Sequence, residues 1–273
     1  MKNRFCLFAL LLCLIACNSA DNHGNEPGPV NRDNGIPPII GYSIVKTYPH
    51  DSTFFTEGLE FFNGQLLESS GGNNDESPYP SAAGIANLTT GRVDIKITLD
   101  KSKHFGEGIT VFNNKIYMLT WTSGVGFVFD SGTFKKLGEF KLPTKQGWGL
   151  THDSSSIIMS DGTNSIHFLD PTTFQVKNII GVIDNNGPVS NINELEYVDG
   201  FLYANQWNTP YILKIETNSG KVVGRIDLSK IDNDISPNYP NTFGLNGIAY
   251  NPETGSFFIS GKKWPVLYEI KLQ

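Results

Sequence analysis

From residue 39 onward the hydrophobic positions come in short runs. Between 108 and 142 the runs read "GITVFNN", "KIYMLTWTS", "GFVFDSGTF" and "KKLGEFKL". Apolar, β-branched and aromatic residues alternate or cluster over a few positions, and Asn-Asn or Ser-Gly pairs divide them. Such runs predict strands, and the dividing pairs predict hairpin turns. The stretch 194–228 repeats the plan as "ELEYVDG", "FLYANQWNT", "YILKIETNSG" and "KVVGRIDL". No run carries sustained helical periodicity. The pattern predicts four antiparallel strands, a to d, in each unit.

The unit recurs. Glu57-Gly58-Leu59, Glu107-Gly108-Ile109, Trp148-Gly149-Leu150, Asn193-Glu194-Leu195 and Asn246-Gly247-Ile248 each open one. The spacing is roughly forty to fifty residues, the range of propeller blades. The fifth unit has only three runs, "GIAYNPETG", "SFFISGKKW" and "VLYEIKL", before the chain ends. "YSIVKTYPH", residues 42–50, precedes the first unit and has no local partner. As the missing strand it would close the ring and cover the open edge. The expected fold is all-β: a five-bladed β-propeller, residues 39–273, closed by an N-terminal strand.

Propeller geometry places the start of strand a and the end of strand b on the same end of the disc. Glu57, Glu107, Trp148, Asn193 and Asn246 hold the first position. Trp121, Trp207, Lys262 and Trp264 hold the second. All four tryptophans of the chain therefore fall on one end. Trp264, which precedes Pro265, is expected in the core, and the others around a pocket with a few polar groups. Glu107 stands between Gly106 and Gly108 at the channel mouth. Partial desolvation there suits a carboxylate to acid/base work, and the glycines allow close backbone approach.

Composition agrees with a globular chain: 273 residues, 39% hydrophobic, 18% charged, net charge −6. There is no basic footprint for nucleic acid. The N-terminus reads separately. "MKNR" followed by "FCLFALLLCLIA" is a signal peptide in pattern. Its end, "LIAC", resembles the lipobox of bacterial lipoproteins, which implies processing at residues 1–17 and lipid on Cys17. Residues 18–38, rich in Asn, Gly, Pro and Asp, read as a disordered tether. Expected localisation is thus the bacterial cell envelope, with the domain anchored to a membrane through Cys17. Cys6 and Cys13 leave with the signal, so no disulfide or cysteine-based site is expected.

No nucleophile elbow, P-loop or H-E-x-x-H motif is present. The five histidines show no ligand spacing, and His152 and His167 read as structural. "SGVGF" at 123–127 is half a dinucleotide fingerprint without a following helix. A metal-free acid/base site is the simplest enzyme that remains. Two alternatives stay open: a peptide- or glycan-binding propeller without catalysis, and a lactone or ester hydrolase with a metal held by Glu57, Glu107, Asn193 and Asn246.

The motifs "YPHDSTFFTEGLEF", "HFGEGIT", "LTWTSG", "GWGLTHD", "MSDGT", "INELEYVDGFLYANQWNT", "LNGIAYNPETG" and "ISGKKWPVLYEI" stand in one order along nearly the whole chain from Tyr42 to Leu272. In these the sequence resembles the plant- and bacterial-type glutaminyl-peptide cyclotransferases, also called glutamine cyclotransferases. The resemblance implies conversion of N-terminal glutaminyl residues to pyroglutamate with release of ammonia. It implies no cofactor, no metal, monomeric action, and peptides or proteins with N-terminal Gln as partners. It gives the acid/base role to Glu107. Phe55, Trp121, Trp148, Asn193, Trp207 and Lys262 match the pocket. Of these, Lys262 would polarise the γ-carbonyl or hold Glu107 ionised, and Asn193 would bond the amide or the substrate backbone. One position departs. The family's F-T-Q-G reads "FTEG" here, so Glu57 replaces a neutral amide in the substrate-binding set and is expected to titrate together with Glu107. The acidic loop 71–81 is expected on the same end, shaping substrate preference.

Overall fold

The computed structural model describes residues 35–72 and 77–273. The signal, the lipobox with Cys17, most of the tether, and the middle of the 71–81 loop lie outside the described residues. Five four-stranded antiparallel sheets follow one another along the chain. Blade one is β2 (Phe55–Phe62), β3 (Gln65–Gly71), β4 (Ala82–Ala86) and β5 (Val93–Thr98), and β1 (Tyr42–Pro49) precedes it. Blade two is β6 (Gly106–Phe112), β7 (Lys115–Thr120), β8 (Val125–Asp130) and β9 (Lys136–Lys141). Blade three is β10 (Leu150–His152), β11 (Ile157–Ser160), β12 (Ser165–Leu169) and β13 (Val176–Gly181). A small hairpin, β14 (Ile183–Asp184) and β15 (Gly187–Pro188), leads to blade four: β16 (Ile192–Val198), β17 (Phe201–Gln206), β18 (Tyr211–Glu216) and β19 (Val222–Asp227). A helix, α1 (Ser229–Asn238), precedes the last three strands, β20 (Leu245–Asn251), β21 (Ser256–Gly261) and β22 (Val266–Leu272).

The fourth strand of blade five is β1. It pairs antiparallel with β22 from Tyr42 opposite Leu272 to Pro49 opposite Val266. The inner strands β2, β6, β10, β16 and β20 contact one another in a closed ring, with β2 against β20 across the seam. The propeller expectation is met in blade number and in mode of closure. Residues 35–38, read as the end of the tether, are described: Pro38 O accepts a hydrogen bond from the Arg225 amide, and Ile39 bridges to the same residue.

A sheet buries both faces in a propeller, so each inter-blade interface needs its own apolar core. Five clusters serve the five interfaces. Four of them hold nine to twelve buried residues each. The fifth, between blades five and one, holds five: Leu59, Leu66, Ala249, Phe258 and Leu267. Burying one such side chain stabilises by roughly 1.5–3 kcal/mol, so the closing seam has the weakest apolar core of the ring.

Two elements depart from the expectation. The hairpin β14–β15 is an insertion between blades three and four. Helix α1 lies where no helix was expected. It has a single i, i+4 apolar pair, Ile231 and Ile235, and Pro237 in its last turn. Both isoleucines pack with Leu228, Leu245 and Trp264 in the cluster between blades four and five. Tertiary burial, not periodicity or propensity, makes this segment helical.

Candidate active site

Four of the five inner strands share one irregularity at the same end. Their pairing with the second strand slips between Thr56 and Gly58, Gly106 and Ile109, Ile192 and Leu195, and Leu245 and Ile248. Such a bulge inserts residues outside the ladder and re-aims a side chain. The inserted stretches hold Glu57, Glu107, Asn193 and Asn246. In blade three the ladder starts at Leu150, and Trp148 stands just before it.

The glycines beside these residues let blades approach. A Cβ on Gly108 would lie 2.5 Å from the Leu150 nitrogen and 2.6 Å from the Trp148 oxygen, and one on Gly149 would strike the Asn193 carbonyl. The second strand of the preceding blade pins the backbone at Glu107, at Asn193 and directly after Asn246. Ser69 Oγ donates to Glu107 O at 2.8 Å, Ser160 Oγ donates to Asn193 O at 2.7 Å, and Gly247 N donates to Asn205 Oδ1 at 2.9 Å.

These elements surround a cavity of about 550 Å³. Phe55, Glu57, Glu107, Trp121, Trp148, Asn193, Trp207 and Lys262, all the pocket residues expected from the sequence, line it together. Trp264 does not. It is fully buried and donates its indole N–H to Phe243 O at 2.7 Å, as its expected place in the core requires. Sequence reasoning missed Gln146, Phe105 and Phe243, which also line the cavity.

The aromatic wall is ordered by one amide. Gln146 Oε1 accepts from Trp121 Nε1 at 3.0 Å and from Trp148 Nε1 at 2.8 Å. Trp207 stands edge-to-face on Trp148, 5.8 Å between centres. Phe105 bridges Trp121 to Phe55 by further edge contacts. Trp207 is 47% exposed and Phe243 49%, so apolar surface continues from the cavity onto its rim.

The opposite wall is charged. Lys262 Nζ sits 2.7 and 2.8 Å from the two oxygens of Glu57 and 4.7 Å from the centre of the Phe55 ring. Glu57 is almost fully buried, so the lysine is its counterion in a low-dielectric place. Glu57 therefore enters as half of an ion pair with Lys262. Asn246 Nδ2 donates to Thr56 O at 2.9 Å and to Glu57 Oε2 at 3.1 Å. Both of those oxygens only accept, which fixes the Asn246 amide. Its Oδ1 accepts from Asn193 Nδ2 at 2.9 Å, and Asn193 Oδ1 remains buried with no hydrogen-bond partner among the described residues.

Deeper along the axis lie three more buried carboxyls. Glu194 reaches across the ring to the amides of Leu59, at 3.2 Å, and Ile248, at 2.8 Å. Glu196 accepts from Tyr250 N and Glu60 from Val111 N. Burial pushes Glu60 up to about 8 and raises Glu194 and Glu196 well above the usual carboxylate range. Among the described residues no group of three or more His, Cys, Asp or Glu is arranged to hold a metal ion.

The site is thus an axial propeller mouth that sets carboxylates, an ammonium group and an amide against indoles, an arrangement suited to an enzyme. The chain belongs to the glutamine cyclotransferase family, whose model matches residues 9–272. It is 34% identical over 231 residues to the glutaminyl-peptide cyclotransferase of Arabidopsis thaliana, covering 84% of this chain and 71% of the plant protein. Among solved structures it is similar to the glutaminyl cyclase of Myxococcus xanthus, with a TM-score of 0.77 and 30% identity over 87% of this chain and 98% of the other.

Proposed function

We propose that this glutaminyl-peptide cyclotransferase works by a single proton carrier, Glu107, without a metal ion. The α-amine of an N-terminal glutaminyl residue attacks the γ-carboxamide carbon. The C–N bond to the departing nitrogen breaks, and pyroglutamate and ammonia result. One proton leaves the attacking amine and one reaches the leaving nitrogen, so a carboxylate that takes the first and returns it does both tasks. The observation that carries this reading is the convergence of Glu107, Asn193 and the Lys262–Glu57 pair on one aromatic-walled cavity.

In this reading Lys262 stabilises negative charge growing on the γ-oxygen. Asn193 bonds the substrate; its Oδ1 is an acceptor for a substrate N–H. The tryptophans enclose the glutaminyl side chain and exclude water. The cavity lining supplies carboxylates but neither imidazole nor thiol, a poor donor set for zinc. Purified protein given a Gln-initiated peptide is expected to release ammonia at the same rate with and without chelator. Activity lost to chelator and restored by a divalent ion would defeat the metal-free mechanism. We propose further that the enzyme acts as a monomer, exported and held at the bacterial envelope by lipid on Cys17, as "LIAC" suggests. Cys17→Ser is expected to abolish lipid labelling; wild-type protein that is fully soluble and unlabelled would refute the anchor.

A further inference from the structure

His50 lies directly after the closing strand and takes no part in the cavity. Its Nδ1 is 2.6 Å from Trp264 O, its backbone N–H donates to Pro265 O at 2.9 Å, and its Nε2 is 2.9 Å from Glu68 Oε1. A carbonyl oxygen only accepts, so Nδ1 carries a proton. A second proton must then lie between Nε2 and the Glu68 carboxyl, because otherwise a lone pair would face a carboxylate oxygen. Both side chains are buried, with 2% and 0% exposure. Burial opposes the imidazolium, but Glu68 outweighs it through its charge and its hydrogen bond, and His50 is held above its ordinary value.

The pair bonds to chain neighbours of both carriers of the charged wall. Glu68 Oε1 also accepts from Thr56 Oγ1 at 2.9 Å, and Thr56 directly precedes Glu57. Trp264 O belongs to the turn that presents Lys262, a turn with Lys263 in the left-handed region at φ 61° and with its amide on Phe54 O at 2.8 Å. A buried ion pair is an inefficient source of stability, since desolvation offsets most of the attraction. Its directional bonds do fix relative position. They do so at the interface with the fewest buried apolar residues, five against nine to twelve elsewhere.

We propose that His50 and Glu68 are positioning residues for turnover: they set the register of the Lys262 turn of blade five against the Glu57 strand of blade one. This rests on the role given to Lys262 above. The pair does not touch Trp121, Trp148 or Trp207, so its loss acts on the chemical step and leaves substrate binding in place.

The test uses the full chain and three variants, His50→Ala, His50→Asn and Thr56→Val, with ammonia release from a Gln-initiated peptide and thermal melts. His50→Ala is expected to lower kcat about tenfold or more, as misplacement of a reacting group does, with KM within about twofold. Asn places an N–H where Nδ1 was but lacks the bond to Glu68, so His50→Asn is expected to recover only part of kcat. Thr56→Val removes one bond to Glu68 at constant shape and is expected to lower kcat a few-fold. If His50→Ala does not fold, the other two decide. Equal kcat in wild type, His50→Asn and Thr56→Val overturns the proposal. So does a melting temperature that falls while kcat stays unchanged, or an unchanged Lys262–Glu57 distance in a crystal structure of a folded His50 variant. A wild-type protein that releases no ammonia defeats the cyclotransferase mechanism itself, a separate outcome.

Discussion

Blades one and five furnish the charged wall of the cavity, Glu57 and Lys262, with Asn246 bonded to Glu57 behind it. Blades two, three and four furnish the indoles, Trp121, Trp148 and Trp207. The aromatic wall stands on interfaces with nine to twelve buried apolar residues, and one amide, Gln146, ties two of its rings. The charged wall spans the closing seam, which has five such residues and compensates with ion pairs and hydrogen bonds. The difference teaches that the aromatic wall, and Glu107 on blade two with it, rests on different parts of the fold from the Lys262–Glu57 pair. The indoles can keep their places when the seam is disturbed, whereas the Lys262–Glu57 pair exists only if the ring is closed.

The most drastic way to break this contrast is to remove the closure. Deleting residues 39–50 takes away β1 and His50 and leaves β22 as an open edge. The expected result is aggregation or a large loss of stability, with no residual activity; a truncated protein that melts like the full chain would show that the seam does not depend on β1. Next in size is Glu107→Gln, which keeps shape but carries no proton. Its kcat is expected to fall roughly 10²–10⁴-fold, the usual worth of a general acid/base, with the fold retained by circular dichroism.

The aromatic wall gives the opposite signature. Trp148→Ala is expected to raise KM for a Gln-initiated peptide by about tenfold or more, in keeping with the roughly 2 kcal/mol typical of a buried aromatic contact at a binding site. Gln146→Ala leaves the indole N–H groups of Trp121 and Trp148 without their acceptor and is expected to do the same on a smaller scale. Were either substitution to lower kcat and spare KM, the division between the two walls would fail.

The smallest effect is on stability against pH. Glu60 has its carboxyl pushed up to about 8 by burial, from an ordinary 4.5, with Glu194, Glu196 and His152 as its titratable neighbours. A group whose folded value is raised adds stability fully below its unfolded value and loses it as pH climbs through the folded one. Wild-type stability should therefore decline between about pH 4.5 and 8. Glu60→Gln should flatten that decline by at most a few kcal/mol, measured as melting temperature against pH. An identical slope in the variant would mean that Glu60 holds no proton there.

Much of this was legible in the sequence because the fold repeats. Each inner strand opens on one unusual residue, and aligning five units brought Glu57, Glu107, Trp148, Asn193 and Asn246 to one end. The strand "YSIVKTYPH" was legible from arithmetic, since blade five lacked a strand. What escaped had no counterpart in other blades. Gln146 sits in a loop whose sequence repeats nowhere else. Phe243 follows helix α1, whose single apolar pair and internal proline give no periodic signal. Ser69, Ser160 and Asn205 look like ordinary strand residues, and their role appears only when the neighbouring blade is placed beside them. His50 and Glu68 are eighteen positions apart, and the Trp264 carbonyl that His50 meets lies at the far end of the chain.

The inserted residues of the inner strands stand outside the ladder, so their side chains are free of strand pairing, yet they are buried and bond from blade to blade. A mutation there alters what faces the substrate without shifting a strand by a register. The same scaffold can thus exchange a working group only together with the partner that satisfies it. Glu57 shows the constraint, buried and bonded to both Lys262 and Asn246. It survives because Lys262, on a turn built by another blade, offers a charge to match it.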